Sequence, residues 1–362
     1  MISVVTCPRI AIVVGALAAV VAVTAACTEE PPARARRGPS ANAEPSARDL
    51  ARTFVPSATG AAIDRDFPDP TVVRASDGSF YAYATQSVVG SKAVNVQVAR
   101  SEDLERWTYL GDALPEEPAW ASTTQAFWAP DVVERGGTFY LYYSAIPDDA
   151  SGEEFCLAVA TSETPEGPFR DSGGPLLCGI EIDPKVFRDP RSGDWLLYWG
   201  SSGDIVVQPL ADDMVQLEGT APTMVLQGWS SPVRRPFERG IEGPFVTFRD
   251  GWYYLFYSGD RCCEFPPHYA VLVARSRRAE GGFRRFDSRI PGRGSAILRD
   301  RGRWLGPGHC SVVRDAAGRD WIAYHAIDRR QPRLSNGDVR RVMHLDRLTY
   351  RRGWPAVAGA RS

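Results

Sequence analysis

Five stretches of this chain share one pattern: an apolar strand, a glycine-containing turn, then a strand dense in Tyr, Trp and Phe. They read DPTVVRASDGSFYAYATQS from Asp69, APDVVERGGTFYLYYSA from Ala129 and DPKVFRDPRSGDWLLYWGS from Asp183. The last two are GPFVTFRDGWYYLFYSG from Gly243 and GHCSVVRDAAGRDWIAYHA from Gly308. Each has the turn chemistry and β-branched or aromatic content of a β-hairpin. Taking Val73, Val133, Phe187, Thr247 and Val313 as equivalent, the spacings are 60, 54, 60 and 66 residues. A hairpin plus two further strands uses about that much chain, which is one blade of a β-propeller. The segments between hairpins supply the outer strands: AVNVQVARS (93–101), FCLAVATS (155–162) and YAVLVARS (269–276), several followed by a short aromatic segment such as LERWTYLG, EGPFRDSG or GGFRRFDS. With no long amphipathic helical pattern, the expected fold is all-β, a five-bladed propeller over residues 58–362. A β-sandwich is the competing architecture, but it gives no reason for five similar hairpins.

The first 27 residues read as a targeting segment rather than part of the fold. An apolar stretch from Ile10 to Ala26 follows Arg9 and ends in Thr24-Ala25-Ala26-Cys27, similar to a bacterial lipoprotein cleavage box. Cys27 is the expected lipid anchor, with an uncleaved anchor or plain secretion as alternatives. Each places the domain outside the cytoplasm. Residues 28–57, rich in Ala, Pro, Arg, Ser and Glu, read as a disordered tether. An exported domain can hold disulfides. Cys156 with Cys178, and adjacent Cys262 with Cys263, are the candidate bridges, which leaves Cys310 as a free thiol. Zinc is the competing use, but the spacing fits no zinc pattern and the chain has only 4 His. With 42 basic and 44 acidic residues, composition gives no reason to expect a nucleic-acid partner.

In a propeller the first strand of every blade lines a central channel, so equivalent positions meet around one axis. Three residues before the aligned Val72, Val132, Val186, Val246 and Val312 stand Asp69, Ala129, Asp183, Gly243 and His309. Trp128 and Glu242 lie one step earlier. The repeat thus predicts a ring of Asp, Trp, Asp, Glu and His. Each member has an ordinary explanation alone, since Asp-Pro is a common turn dipeptide. Three carboxylates in one channel repel one another and lose solvation, which a purely structural axis has no reason to tolerate. Clustered carboxylates suit glycoside hydrolysis, where one must hold a proton and another must be ionised. Phe127 and Trp128 offer apolar faces for a sugar ring, with blade packing as their alternative role.

The strings FPDPTVVR, FWAPDVVERGGTFYLYYS, EIDPKVF, IEGPFVTFRDGWYYLFYSG and GPGHCSVV together resemble glycoside hydrolase family 43, whose members are five-bladed propellers. The resemblance runs from about Ile63 to Ala358, and the ending RRVMHLDRLTYRRGWPAV is similar to the family's closing strands. It implies a general base at Asp69, a general acid at Glu242 and an orienting carboxylate at Asp183. The implied reaction is a single displacement with inversion, for which the two carboxyl groups sit about 6.5–9.5 Å apart. It also implies calcium near His309, in a shell made largely of water. Cys310 beside it, where relatives often carry a small polar residue, departs from the pattern. The implied partner is an oligo- or polysaccharide met by a monomer, with arabinofuranosyl linkages favoured. β-Xylosidase or galactan-directed activity is the alternative within the family. A non-catalytic carbohydrate-binding propeller is the alternative outside it.

Overall fold

The computed structural model describes residues 53–54, 60–124, 126–152, 154–229, 237–287 and 294–358. The targeting segment, Cys27 and all but Thr53–Phe54 of the tether lie outside the described residues. Among the described residues every regular element is a strand.

The strands form five antiparallel sheets, and each begins with one of the repeated hairpins. The inner strands are Thr71–Arg74, Trp128–Arg135, Glu181–Arg188, Ile241–Arg249 and Trp304–Arg314. Each inner strand touches the next, and the fifth touches the first, so the sheets close into a ring as blades 1 to 5. The outer segments take the expected places, as in Phe155–Ser162 of blade 2 and His268–Ser276 of blade 4. Segment 93–101 divides, however. Gln97–Ser101 is the third strand of blade 1, whereas Lys92–Val94 pairs with Ser87–Val89 in a separate ribbon. Thr53–Phe54, within the segment read as a tether, pairs with Trp107–Thr108 as a fifth strand of blade 1.

Five apolar clusters fill the seams between successive blades. Tyr83 and Val98 of blade 1 meet Phe127 and Leu141 of blade 2. Tyr142 and Val159 of blade 2 meet Val186 and Trp199 of blade 3. Successive residues of one strand, Leu141 and Tyr142, therefore serve opposite seams, as the period of two requires. Most positions of the second strands are accordingly apolar or aromatic, because neighbouring blades cover both faces. Their tyrosines also latch one blade to the next. Tyr142 donates its hydroxyl to the Met214 carbonyl at 2.6 Å, Tyr198 to Ala279 at 2.9 Å and Tyr254 to Gly353 at 2.9 Å, while Tyr83 bonds Pro165. Each bond keeps a buried hydroxyl satisfied while it ties two sheets.

Near the axis, Asp131 joins three blades. It accepts from Thr71 Oγ1 at 3.1 Å, from Lys185 Nζ at 2.8 Å and from the Val186 amide at 2.9 Å. The Lys185 ammonium sits 4.1 Å from the centre of the Phe245 ring in blade 4. Blade 5 closes on the start of the propeller: the amides of Ala62 and Ile63 donate to the Met343 carbonyl, and Phe67 donates to Arg341. The chain therefore meets itself at the seam between its first and last blades.

Candidate active site

The aligned ring has a common backbone cause. Asp69, Ala129, Asp183, Gly243 and His309 all lie in the left-handed region, with φ of 53°, 48°, 64°, 59° and 43°. Only one is glycine, so four carry a strain of roughly 1 kcal/mol each. In blades 2 to 5 the left-handed residue sits inside a break in the ladder, between Trp128 and Asp131, Ile182 and Lys185, Glu242 and Phe245, and Gly308 and Ser311. A bulge at that height turns side chains out of the sheet and into the channel mouth.

The mouth opens as a cleft of about 470 Å³ that Asp69, Asp183, Glu242, His309 and Trp128 line together. Asp69 and Asp183 are buried, and Glu242 is half-buried and opens to the cleft. His309 Nδ1 stands 3.5 Å from Asp69 Oδ1 and 3.9 Å from Asp183 Oδ2, between the two acids.

Asp69 is held ionised. Its Oδ1 accepts from Arg341 at 2.7 Å and faces His325 Nδ1 at 3.1 Å, and its Oδ2 accepts from the Thr85 hydroxyl at 2.6 Å. Burial opposes the charge, but Arg341, with His309 and His325 behind it, outweighs burial and holds the carboxyl well below its usual range. Burial lowers the pKa of both imidazoles, His325 to about 4, so the guanidinium is the charge that matters here.

Glu242 is in the opposite condition. Burial, and then the charge of Asp183, raise it to about 7. Tyr269 donates its hydroxyl to Oε1 at 2.6 Å, which tempers the rise and fixes the carboxyl. Burial and the charge of Asp69 also raise Asp183, although the Gly243 amide donates to its Oδ2 at 2.9 Å. These two carboxyls thus form a pair that keeps a proton near neutrality, beside an Asp69 that keeps none.

The structure separates the two aromatics that the sequence placed together. Trp128 lines the cleft, its ring 4.3 Å from that of Phe155. Phe127 is fully buried in the seam between blades 1 and 2 and packs near Tyr143, so its assignment as a sugar-binding residue is corrected. Trp128 opens the inner strand and Phe127 precedes it, so the two side chains take different directions and only Trp128 reaches the channel. Cys156 is bonded to Cys178 and Cys262 to Cys263, and the second bridge borders the cleft. Cys310 is free and buried, and burial pushes its thiol up.

Sequence reasoning missed Arg341, Tyr269, Thr85 and His325. Thr85, just after the aromatic strand of blade 1, and His325, within that of blade 5, hold matching places in the repeat, a signal it did carry. Arg341 and Tyr269 come from third strands, where the repeat is weak and nothing distinguishes one Arg or Tyr from its neighbours.

Among the described residues, no group of three or more His, Cys, Asp or Glu side chains is placed to hold a metal ion. Donors already engage both oxygens of Asp69 and Oδ2 of Asp183. A hard cation beside His309 would find one imidazole and would draw its other ligands from water.

A propeller whose mouth sets an ionised carboxylate against a proton-holding one has the frame of a glycosidase. The chain belongs to glycoside hydrolase family 43: the model described as Glycosyl hydrolases family 43 matches residues 61–355. It is 26% identical over 321 residues to the extracellular exo-α-(1→5)-L-arabinofuranosidase ArbA of Cellvibrio japonicus, covering 81% of this chain and 86% of that one. It is 28% identical over 314 residues to the arabinan endo-1,5-α-L-arabinosidase C of Emericella nidulans, covering 78% and 89%. Among solved structures, a thermostable family-43 glycoside hydrolase superposes with a TM-score of 0.67 at 28% identity, covering 82% and 94%. The α-L-arabinanase of Cellvibrio cellulosa complexed with arabinohexaose superposes with a TM-score of 0.66 at 25% identity, covering 81% and 95%.

Proposed function

We propose that this enzyme hydrolyses α-1,5-linked arabinofuranosyl units by single-displacement inversion. One observation carries the reading: Asp69, pinned ionised by Arg341, and Glu242, which keeps its proton to about pH 7, line the same cleft. Asp69 takes a proton from water as the water attacks the anomeric carbon. Glu242 gives its proton to the departing sugar oxygen, so the bond breaks without an alkoxide leaving group. Asp183 supplies the negative charge that keeps the proton on Glu242 before reaction. Trp128 offers its face to a furanose ring.

The names of the relatives support arabinan over xylan or galactan. A calcium ion at His309 would sit in a mostly aqueous shell, and no step above draws on it. The stretch Ile10–Ala26 and the extracellular relative support export, with Cys27 as the lipid anchor of a monomeric catalytic domain.

The test uses 4-nitrophenyl α-L-arabinofuranoside and linear α-1,5-arabino-oligosaccharides, with the first-formed anomer read by NMR. The expected product is inverted. Asp69→Ala should lose on the order of a thousandfold in kcat on both substrates. Glu242→Ala should lose far more on the oligosaccharide, since nitrophenolate leaves without a proton. A retained anomer, or full activity in Asp69→Ala, overturns the mechanism. Sugar binding without turnover would make the protein a carbohydrate-binding propeller.

A further inference from the structure

In four of the five seams the left-handed residue is latched to the preceding blade by one kind of bond. Its amide donates to a side chain on the preceding blade's second strand or just after it. Thr85 Oγ1 accepts from Ala129 at 2.8 Å, Ser144 Oγ from Asp183 at 3.0 Å, Ser258 Oγ from His309 at 2.9 Å and His325 Nδ1 from Asp69 at 3.2 Å. Register confirms that these positions are equivalent. Ser144 pairs with Trp128, Ser258 with Glu242 and His325 with Gly308, each partner lying just before a left-handed residue.

The seam from blade 3 to blade 4 breaks the rule. The residue paired with Ile182, just before left-handed Asp183, is Gly200, which has no side chain to offer. The Gly243 amide donates to Asp183 Oδ2 at 2.9 Å instead. Space does not force glycine here. A Cβ on Gly200 would meet Ile182 at 3.5 Å and the Glu242 Cα at 3.6 Å, ordinary contacts. A Cβ would fit, and the missing side chain leaves the Gly243 amide to hold a carboxylate rather than latch blades.

We propose that Gly200 is a positioning residue for the reaction: by withholding the acceptor that other blades supply, it commits the Gly243 amide to Asp183 and holds that carboxylate against Glu242. The inference rests on the acid role proposed for Glu242. A charge-assisted bond from a backbone amide is short and directional, so it fixes Asp183 more firmly than packing alone. In Gly200→Ser the new hydroxyl would claim the Gly243 amide, as Ser258 claims that of His309, and Asp183 would lose its tie.

The test combines kinetics with NMR of protein labelled with ¹⁵N at glycine. In the native chain, Asp183→Asn should move the Gly243 amide resonance, because it alters the acceptor. In a Gly200→Ser background the same change should leave that resonance in place. On arabino-oligosaccharide, Gly200→Ser should lower kcat by about tenfold, the worth of one charge-assisted hydrogen bond, with KM little changed. Gly200→Ala, which adds bulk without an acceptor, should behave as the native chain in both measurements. A Gly243 amide that responds equally in both backgrounds overturns the inference and leaves the proposed function standing. An unchanged kcat despite the lost response, or equal losses in the Ala and Ser variants, overturns the positioning role. Replacement of the bond in a chain that cleaves no glycoside would instead sink the acid assignment.

Discussion

Gly308 lies against Tyr269 so closely that a Cβ added to it would stand 2.1 Å from the ring atoms Cδ1 and Cε1. The Tyr269 hydroxyl is the donor that fixes Glu242, so the smallness of one residue in blade 5 sets the proposed acid in blade 4. Gly308→Ala should push the ring aside and lower kcat on arabino-oligosaccharide by roughly the tenfold that one charge-assisted hydrogen bond is worth. Tyr269→Phe should lose a similar amount and also shift the pH–rate profile. The hydroxyl favours ionised Glu242, so its removal raises the pKa of the acid. The proposed mechanism needs the protonated acid, and the alkaline limb should therefore move to higher pH.

Arg341 governs the other limb. As the proposed base, Asp69 must be ionised, and Arg341 is the charge that opposes the burial of that carboxylate. Arg341→Met should raise the pKa of Asp69 and bring the acidic limb of the kcat/KM profile upward, towards neutrality. An acidic limb that stays in place would show that Thr85 and the imidazoles suffice.

Glu242 should also shape stability against pH. Its folded pKa, about 7, stands above the ordinary 4.5, so the fold favours its neutral form. That contribution is complete below pH 4.5 and is lost as pH rises through about 7. Glu242→Gln removes the loss. Its unfolding free energy should match the native chain near pH 4.5 and exceed it above pH 7 by up to about 3 kcal/mol, as denaturant titration at the two pH values can check.

Phe127 and Trp128, adjacent in sequence, should separate by assay. Phe127→Ala opens a cavity in a buried seam and should cost about 3–5 kcal/mol of stability with little change in KM at permissive temperature. Trp128→Ala should raise KM for oligosaccharide and leave the unfolding midpoint nearly unchanged.

The Asp131–Lys185 pair is a stability element. With both side chains nearly excluded from water, Asp131→Ala strands an ammonium and should destabilise by about 3–5 kcal/mol. A double substitution to apolar residues of similar volume should recover much of that loss in chemical denaturation, since it strands neither charge.

The repeat made the fold legible. Five hairpins at near-constant spacing admit few closed arrangements, and the apolar second strands show that both faces of every sheet are covered. The alignment also placed Asp69, Asp183, Glu242 and His309 in one channel, because equivalent positions of a ring converge whatever their distance along the chain. What the alignment lacked was direction. Whether Phe127 or Trp128 points inward depends on a bulge and a left-handed turn, and the repeat supplies position without orientation. Likewise, sequence alone gives three similar carboxylic acids. Only the tertiary structure makes them differ, by setting Arg341 beside Asp69 and leaving Glu242 against Asp183 and Tyr269. The charge state of a buried acid depends on its neighbours in space, which sequence order does not reveal: Arg341 lies 272 residues from Asp69 along the chain, and Tyr269 lies 27 from Glu242.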